Sequence, residues 1–313
     1  MKRYLLYPVI ILFIFAASTN PLSAQQWQKI SDIEGYLLSL KVPYDNPDML
    51  IESSNEYPVD FLEETPKFLT FGSGFRYSLD SGKTWSETKL DSFSVTNVIK
   101  SPSDPSVWFA SVVRFNRGFI LRSDDAGDTW NIENEYCEGS HIITDMAALS
   151  ADGDDLYFAG AINTNRGFLK SGNEFNDCIA NETINVSVRD IKISSNDNSS
   201  IFLAGDNLAD EGVFRSTDLG EEWIKDTNGL ENLRVNCVLP SGVFPHLIHC
   251  GADSITANRE IIPKGIYRSV DTGHTWQLVA AEGFHVFELE EHPQNPDYVI
   301  AACGEGGVWM SAN

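Results

Sequence analysis

Acidic and amide side chains recur at one point of a repeating pattern, and chemistry in this chain would gather there. Asp145, Asp190 and Asn236 each lie fifteen residues before a glycine: Gly160, Gly205 and Gly251. With one-residue shifts, Asn97, Glu288 and Ser39 fall at the same place. Each of the six precedes an apolar residue, in order Leu40, Val98, Met146, Ile191, Cys237 and Leu289. Polar–apolar alternation of this kind marks a half-buried strand. Repeated around a closed array, it sets a ring of side-chain oxygens about one axis. Such a ring either wets the wall of a channel or gathers a ligand or cation, one oxygen from each repeat. Asp145, Asp190 and Glu288 are also the candidates for catalysis by paired carboxylates, which needs two groups roughly 5 to 10 Å apart. Crowded carboxylates repel one another until a bound group relieves them. Replacing these acids is therefore expected to spare stability and to abolish binding or activity.

The elements that must hold such a ring are spelled out four times. The octets are Ser78-Leu-Asp80-Ser-Gly82-Lys-Thr-Trp85, Ser123-Asp-Asp125-Ala-Gly127-Asp-Thr-Trp130, Ser216-Thr-Asp218-Leu-Gly220-Glu-Glu-Trp223 and Ser269-Val-Asp271-Thr-Gly273-His-Thr-Trp276. Each reads as a hairpin turn. The Asp accepts bonds from turn amides, the Gly takes a positive φ and the Trp packs on the next strand. A fifth copy is degenerate: Asn173, Phe175 and Cys178 stand for Asp, Gly and Trp. Its hairpin is expected to be the least regular. Neighbouring octet tryptophans lie as little as 45 residues apart (Trp85 to Trp130), a period that in a β-rich chain means a propeller or another repeat array.

The octets are the pattern of the Asp-box (BNR) repeat, and the chain resembles Asp-box β-propellers of the sialidase, sortilin and xyloglucanase-like superfamily. Gly265-Ile-Tyr-Arg-Ser269 and His292-Pro-Gln-Asn-Pro296 share their wording with photosystem II assembly-factor-like and xyloglucanase-type repeats. The resemblance implies an all-β fold. It says little of activity, because these turns are structural in enzymes and non-enzymes alike. Sialidases of the superfamily hold a substrate carboxylate with an arginine cluster and use a Tyr nucleophile. Here the early Arg-Ile-Pro type motif is missing, and Arg122, Arg215 and Arg268 sit beside the octets, away from the axis. Xyloglucanases of this type place their acids between two propellers, and one propeller cannot form that cleft.

The strand Gly307-Val-Trp-Met-Ser311 repeats Gly212-Val-Phe-Arg-Ser216 and Gly265-Ile-Tyr-Arg-Ser269, but the chain stops before a tryptophan. The missing strand is at the other end, where Trp27-Gln-Lys-Ile30 matches Trp276-Gln-Leu-Val279. The termini are therefore expected to share one blade and close the ring without an open sheet edge. Six blades follow, or seven if the long insertion in the first unit hides another. Two long connections, residues 54–72 and 253–264, are the natural places for ligand contacts on a rigid scaffold, with Arg259 a candidate.

Composition limits the partners. Residues 1–24 read as a signal peptide, basic at Lys2 and Arg3, apolar from Leu5 to Ala17 and ending in Leu22-Ser-Ala24. No Cys lies near that cut, which argues against a lipoprotein anchor. Residues 25–313 then form one propeller domain in a secreted or periplasmic protein, with no stable membrane insertion after cleavage. The 45 acidic against 22 basic side chains, a formal charge of −23, repel nucleic acid and anionic membrane. Five cysteines leave at least one unpaired, and Cys237 and Cys250 could face each other across a hairpin. His246-x-x-His249 points to opposite strand faces, so no metal or cofactor is expected. The reading is a monomeric, non-catalytic propeller that binds a protein segment or a glycan. Its competitor is a glycoside hydrolase or lyase with an axial carboxylate pocket.

Overall fold

The computed structural model describes residues 26–31, 36–41, 50–55, 74–79, 84, 86, 89–114, 117–134, 142–151, 154–162, 167–172, 174–175, 179–180, 184–197, 199–206, 211–258, 260–292, 295–303 and 307–312. All its regular elements are strands, and none of the described residues forms a helix able to cross a membrane. Residues 1–24, Asp80, Gly82, Trp85, Cys137, Asn173, Cys178, Arg259 and most of the 54–72 connection lie outside the described residues.

After β1 (Gln26–Ser31), the strands β2 (Tyr36–Lys41), β3 (Leu50–Asn55) and β4 (Phe75–Ser78) make the first sheet. β5 (Ser94–Lys100), β6 (Trp108–Arg114), β7 (Arg117–Ser123) and β8 (Asn131–Asn134) make the second. β9 (Ile142–Ala151), β10 (Asp154–Ile162), β11 (Phe168–Ser171) and β12 (Ile179–Ala180) make the third. The fourth holds β13 (Ser187–Ile193), β14 (Ile201–Asp206), β15 (Gly212–Ser216) and β16 (Ile224–Asp226). The fifth holds β17 (Arg234–Pro240), β18 (Ile248–Ile255), β19 (Ile261–Ser269) and β20 (Gln277–Ala280). In the sixth, β21 (Val286–His292), β22 (Asn295–Cys303) and β23 (Gly307–Ala312) are joined by β1, so the order is β1-β23-β22-β21. Trp27 lies opposite Ser311 and Lys29 opposite Trp309, so the two ends of the chain share a sheet.

Every sheet is an antiparallel meander, and the first strand of each touches the first strand of the next. The contacts run β2 to β5, β9, β13, β17 and β21, and from β21 back to β2. The core lies between sheets, face to face. Phe109 and Tyr157 pack between the second and third, Phe158 and Phe214 between the third and fourth, and Val286 and Leu289 against the fifth. Small residues let the middles of the second strands approach their neighbours. Ala110, Ala159, Ala204, Cys250 and Ala301 are all fully buried. Burying one large apolar side chain in these layers contributes about 1.5–3 kcal/mol.

The octet turns repeat one hydrogen-bond pattern. In the second sheet, Ser123 Oγ donates to Asp125 (2.7 Å) and accepts the Gly127 N–H (2.8 Å). Asp125 in turn accepts the Thr129 N–H (2.8 Å) and hydroxyl (2.6 Å). Ser216, Asp218 and Gly220 repeat this arrangement, as do Ser269, Asp271 and Gly273. Trp130 and Trp223 donate their indole N–H to Gly127 and Gly220. Gly127 needs its glycine, since its φ is +89° and a Cβ there would lie 3.1 Å from the Trp108 ring. In the degenerate third turn the described residues Glu174 and Phe175 keep the two left-handed positions. Phe175 takes the glycine position at φ 64° and donates its N–H to Ser171 Oγ (3.1 Å). A left-handed non-glycine residue costs about 1–2 kcal/mol. Burial of its ring against Phe109 and Tyr157 offsets that cost.

Hydrogen bonds hold the turn carboxylates ionised. The Thr129 hydroxyl and N–H bring Asp125 down to about 2, and the Thr275 hydroxyl and N–H do the same for Asp271. The stability from these bonds is full above the ordinary aspartate range and is lost as pH falls towards 2. Ser269→Ala strips the buried Gly273 N–H of its acceptor, and urea unfolding should show a loss of about 1–3 kcal/mol. Asp271→Ala should melt below the parent at neutral pH, with the gap closing towards pH 2 in a thermal series.

Candidate functional site

In all six sheets a bulge on the first strand sets the axial positions. Pairing with the second strand skips Leu38, Thr96, Thr144, Arg189, Asn236 and Phe287. The next residues, Ser39, Asn97, Asp145, Asp190, Cys237 and Glu288, therefore occupy equivalent places. One assignment by spacing changes: Cys237, not Asn236, is the fifth member, and Asn236 is the bulged residue before it. The count from Gly251 misses this because Cys237 pairs with a glycine fourteen residues on, whereas Asp145 pairs with Gly160 fifteen residues on. Bulged Thr96 and Thr144 reach the next sheet, donating to the carbonyls of Ile143 (2.8 Å) and Val188 (2.6 Å).

The axial acids do the same in reverse. Asp145 Oδ2 accepts the Ile191 N–H (3.0 Å), and Asp190 Oδ2 accepts the Val238 N–H (2.7 Å). Each carboxylate thus fastens its own sheet to the next, at a backbone group one residue beyond the next ring position. Asn97 adds its amide to Asp145 Oδ1, so both oxygens of Asp145 have N–H donors. Asp190 has one donor, and its Oδ1 is buried without a partner. The expectation that these acids are idle in the folded state is corrected by these bonds. Removing either leaves a buried amide without an acceptor, so stability must fall too.

Burial raises the Asp190 pKa well above its ordinary value, and nearby Asp145 and Glu288 push the same way against the pull of Lys192. Asp145 also lies within hydrogen-bond reach of Asp190. Of the two acids, Asp190, with an oxygen to spare, is the one held toward its neutral form. Lys192, two residues on and so on the same strand face, sits 2.9 Å from Glu288 and 2.8 Å from Glu290. Burial works against its ammonium, but Glu288 and Glu290 hold its pKa well above normal. Glu288 is thus an ion-pair partner rather than an open acid. Period-two alternation from Asp190 would have pointed to Lys192; its partner 96 residues away is visible only in the fold.

A second polar cluster lies where the fifth and sixth sheets meet, at the end facing the 253–264 connection. Asp253 Oδ2 accepts Arg234 (3.1 Å) and Asn236 (2.8 Å), and Oδ1 faces His285 Nδ1 (3.1 Å). Burial pushes Asp253 up, but the bonds from His285 and Asn236 and the charge of Arg234 win and lower its pKa. The connection itself is a β-hairpin: β18 and β19 stay paired to Ile255 and Ile261. Spacing singled out Asn236 and missed Arg234, Asp253 and His285, which no motif joins.

The remaining candidates fall apart. Cys237 and Cys250 are free, buried thiols, because Cys237 pairs with Gly251 and Cys250 with Val238. Arg122 is spent at the periphery on Asp124 (2.8 Å) and Glu174. His249 is buried, and desolvation takes its pKa to about 3. Among the described residues no three His, Cys, Asp or Glu side chains are grouped to hold a metal ion.

Solved structures similar to this chain are β-propellers. The GH74 enzyme of Niastella koreensis superposes with a TM-score of 0.60 at 15% identity, over 88% of this chain and 44% of the enzyme. The chain therefore spans less than half the length of that protein. YCF48 from Cyanidioschyzon merolae gives 0.53 at 12% identity, over 93% of this chain and 99% of that one. A structure of YCF48 bound to D1 peptide gives 0.50 at 11% identity, over 93% and 95%. No family model and no curated protein matches the sequence.

The raised pKa of Asp190 gives stability a definite pH dependence. A group whose folded pKa lies above its unfolded value contributes fully at low pH, and the contribution fades as pH rises through the folded value. Burial sets that value first, Lys192 on its own strand opposes the rise, and Asp145 on β9 and Glu288 on β21 add to it. Unfolding free energy should therefore decline on the alkaline side of the ordinary carboxylate range. Asp190→Asn, which keeps the acceptor for Val238 and a donor for Asp145, should flatten that decline. Asp145→Ala should lose about 1–3 kcal/mol for each donor left unpaired, read by denaturant titration.

Proposed function

We propose that the chain is an exported, monomeric, non-catalytic propeller of six blades that holds a protein segment or a glycan. The ligand lies on the face carrying the 54–72 and 253–264 connections. One observation carries this reading: the axial acids are used up in holding the sheets together. Asp145 and Asp190 accept N–H groups of neighbouring sheets, and Glu288 is neutralised by Lys192. A glycosidase needs an acid and a nucleophile or base open to substrate. The blade number rests on six sheets whose first strands touch in a closed cycle.

The two ligand classes each have a precedent in a similar fold. A YCF48 structure contains a D1 peptide, and a GH74 enzyme of Xanthomonas campestris is a xyloglucanase. Export to the periplasm or medium accords with the leader-like residues 1–24, and the formal charge of −23 turns away nucleic acid and anionic lipid.

A glycan array and a peptide library, run beside a polysaccharide-hydrolysis screen, test the proposal. Binding without sugar release is expected, and Glu288→Gln should bind as the parent does if it still folds. Saccharide cleavage that disappears in Glu288→Gln would replace the binding reading with the hydrolase.

A further inference from the structure

The Asp253 cluster has one member that solvent can reach. Asp253 and Arg234 have side chains 1% and 5% exposed, whereas the His285 side chain is 34% exposed. We propose that His285 and Phe287 form the contact for a neutral sugar ring, which rests on the binding face assigned above.

The argument begins with the tautomer. Asp253 is ionised beside Arg234 and Asn236, and a carboxylate only accepts. When the His285 ring carries a single proton, that proton sits on Nδ1, which donates to Asp253. Nε2 is left with a lone pair, on a side chain that is 34% exposed. A lone pair held in a fixed direction by a buried carboxylate is an acceptor for a hydroxyl. Asp253 acts here as a positioning residue.

The second element is a flat surface. The Phe287 ring stacks beside His285, with centroids 6.0 Å apart and planes inclined by 25°. Phe287 is the bulged residue of its strand, and both rings remain partly exposed. An aromatic surface with an acceptor at its edge suits a sugar, whose ring presents apolar C–H groups on one face and hydroxyls at its rim. The formal charge of −23 on the chain disfavours uronic acids and acidic peptides. Neutral sugars escape that repulsion.

Calorimetric titration of the purified protein with hexasaccharides of glucose, mannose and xylose, and in parallel with a pool of unmodified peptides, tests this. At least one neutral hexasaccharide should bind. His285→Ala and Phe287→Ala should each weaken it by about tenfold or more, with cooperative melting retained. His285→Gln, whose amide oxygen can replace the Nε2 acceptor, should stay within about threefold of the parent, and it decides the matter if His285→Ala does not fold. Sugar binding that His285→Ala and Phe287→Ala leave intact would overturn the proposal. Peptide binding without sugar binding would overturn it while sparing the broader binding reading. Binding of neither would overturn both.

Discussion

A carboxylate on one sheet that accepts a backbone N–H from the next is the contact on which this molecule turns. Sheets packed face to face have no hydrogen bonds of their own between them, only apolar layers that can slide. Asp145 to Ile191 and Asp190 to Val238 supply direction where the layers supply only attraction. The bulge makes this possible. It turns the polar residue out of the ladder towards the neighbouring sheet and frees the bulged threonines to bond the next carbonyl. Further out, Ser101 and Ser103 close on Asp155 of the third sheet, and Ser241 and Gly242 on Glu291 of the sixth. Neighbouring sheets are thus pinned near the axis and again at a turn, and the apolar core lies between the pins.

Crowding acids near an axis has an electrostatic cost, which the chain meets in two ways. Burial, with Asp145 alongside, holds one acid, Asp190, toward its neutral form. Others are neutralised by a cation, Glu288 and Glu290 around Lys192. Both devices keep the charges that remain paired with donors, and both use up groups that catalysis would need free. At the junction of the fifth and sixth sheets, Asp253 is just as buried and just as well bonded, yet it holds a histidine that solvent reaches. A buried carboxylate in one place fastens the scaffold; in the other it holds a partly exposed imidazole.

The third octet shows how much of a repeat the backbone needs. The described turn keeps the serine bond to the fifth residue and the two left-handed residues, with Glu174 and Phe175 in place of the usual Ala126 and Gly127. What glycine gives by conformational freedom, Phe175 replaces with a ring wedged between Phe109 and Tyr157. A motif can lose its characteristic residues and keep its geometry when packing supplies the missing free energy.

The sequence by itself determined the strands, the octet turns and the pairing of the chain ends, because each follows from residues close together or from the repetition of one local pattern. Trp27-Gln-Lys-Ile30 could be matched to Trp276-Gln-Leu-Val279, and β1 duly pairs with β23. Asn97, Asp145, Asp190 and Glu288 were legible as one ring for the same reason. Only the tertiary structure decided that Cys237 replaces Asn236 in it, that Lys192 reaches Glu288, and that Asp253 collects Arg234, Asn236 and His285 from three strands or their edges. Register is set by hydrogen bonds between strands, and the spacing across the hairpin is fourteen residues for Cys237 to Gly251 but fifteen for Asp145 to Gly160, so one fixed count slips by a residue. The protonation of Asp190 likewise depends on which donors the neighbouring sheets bring to each oxygen, and no spacing along the chain records that.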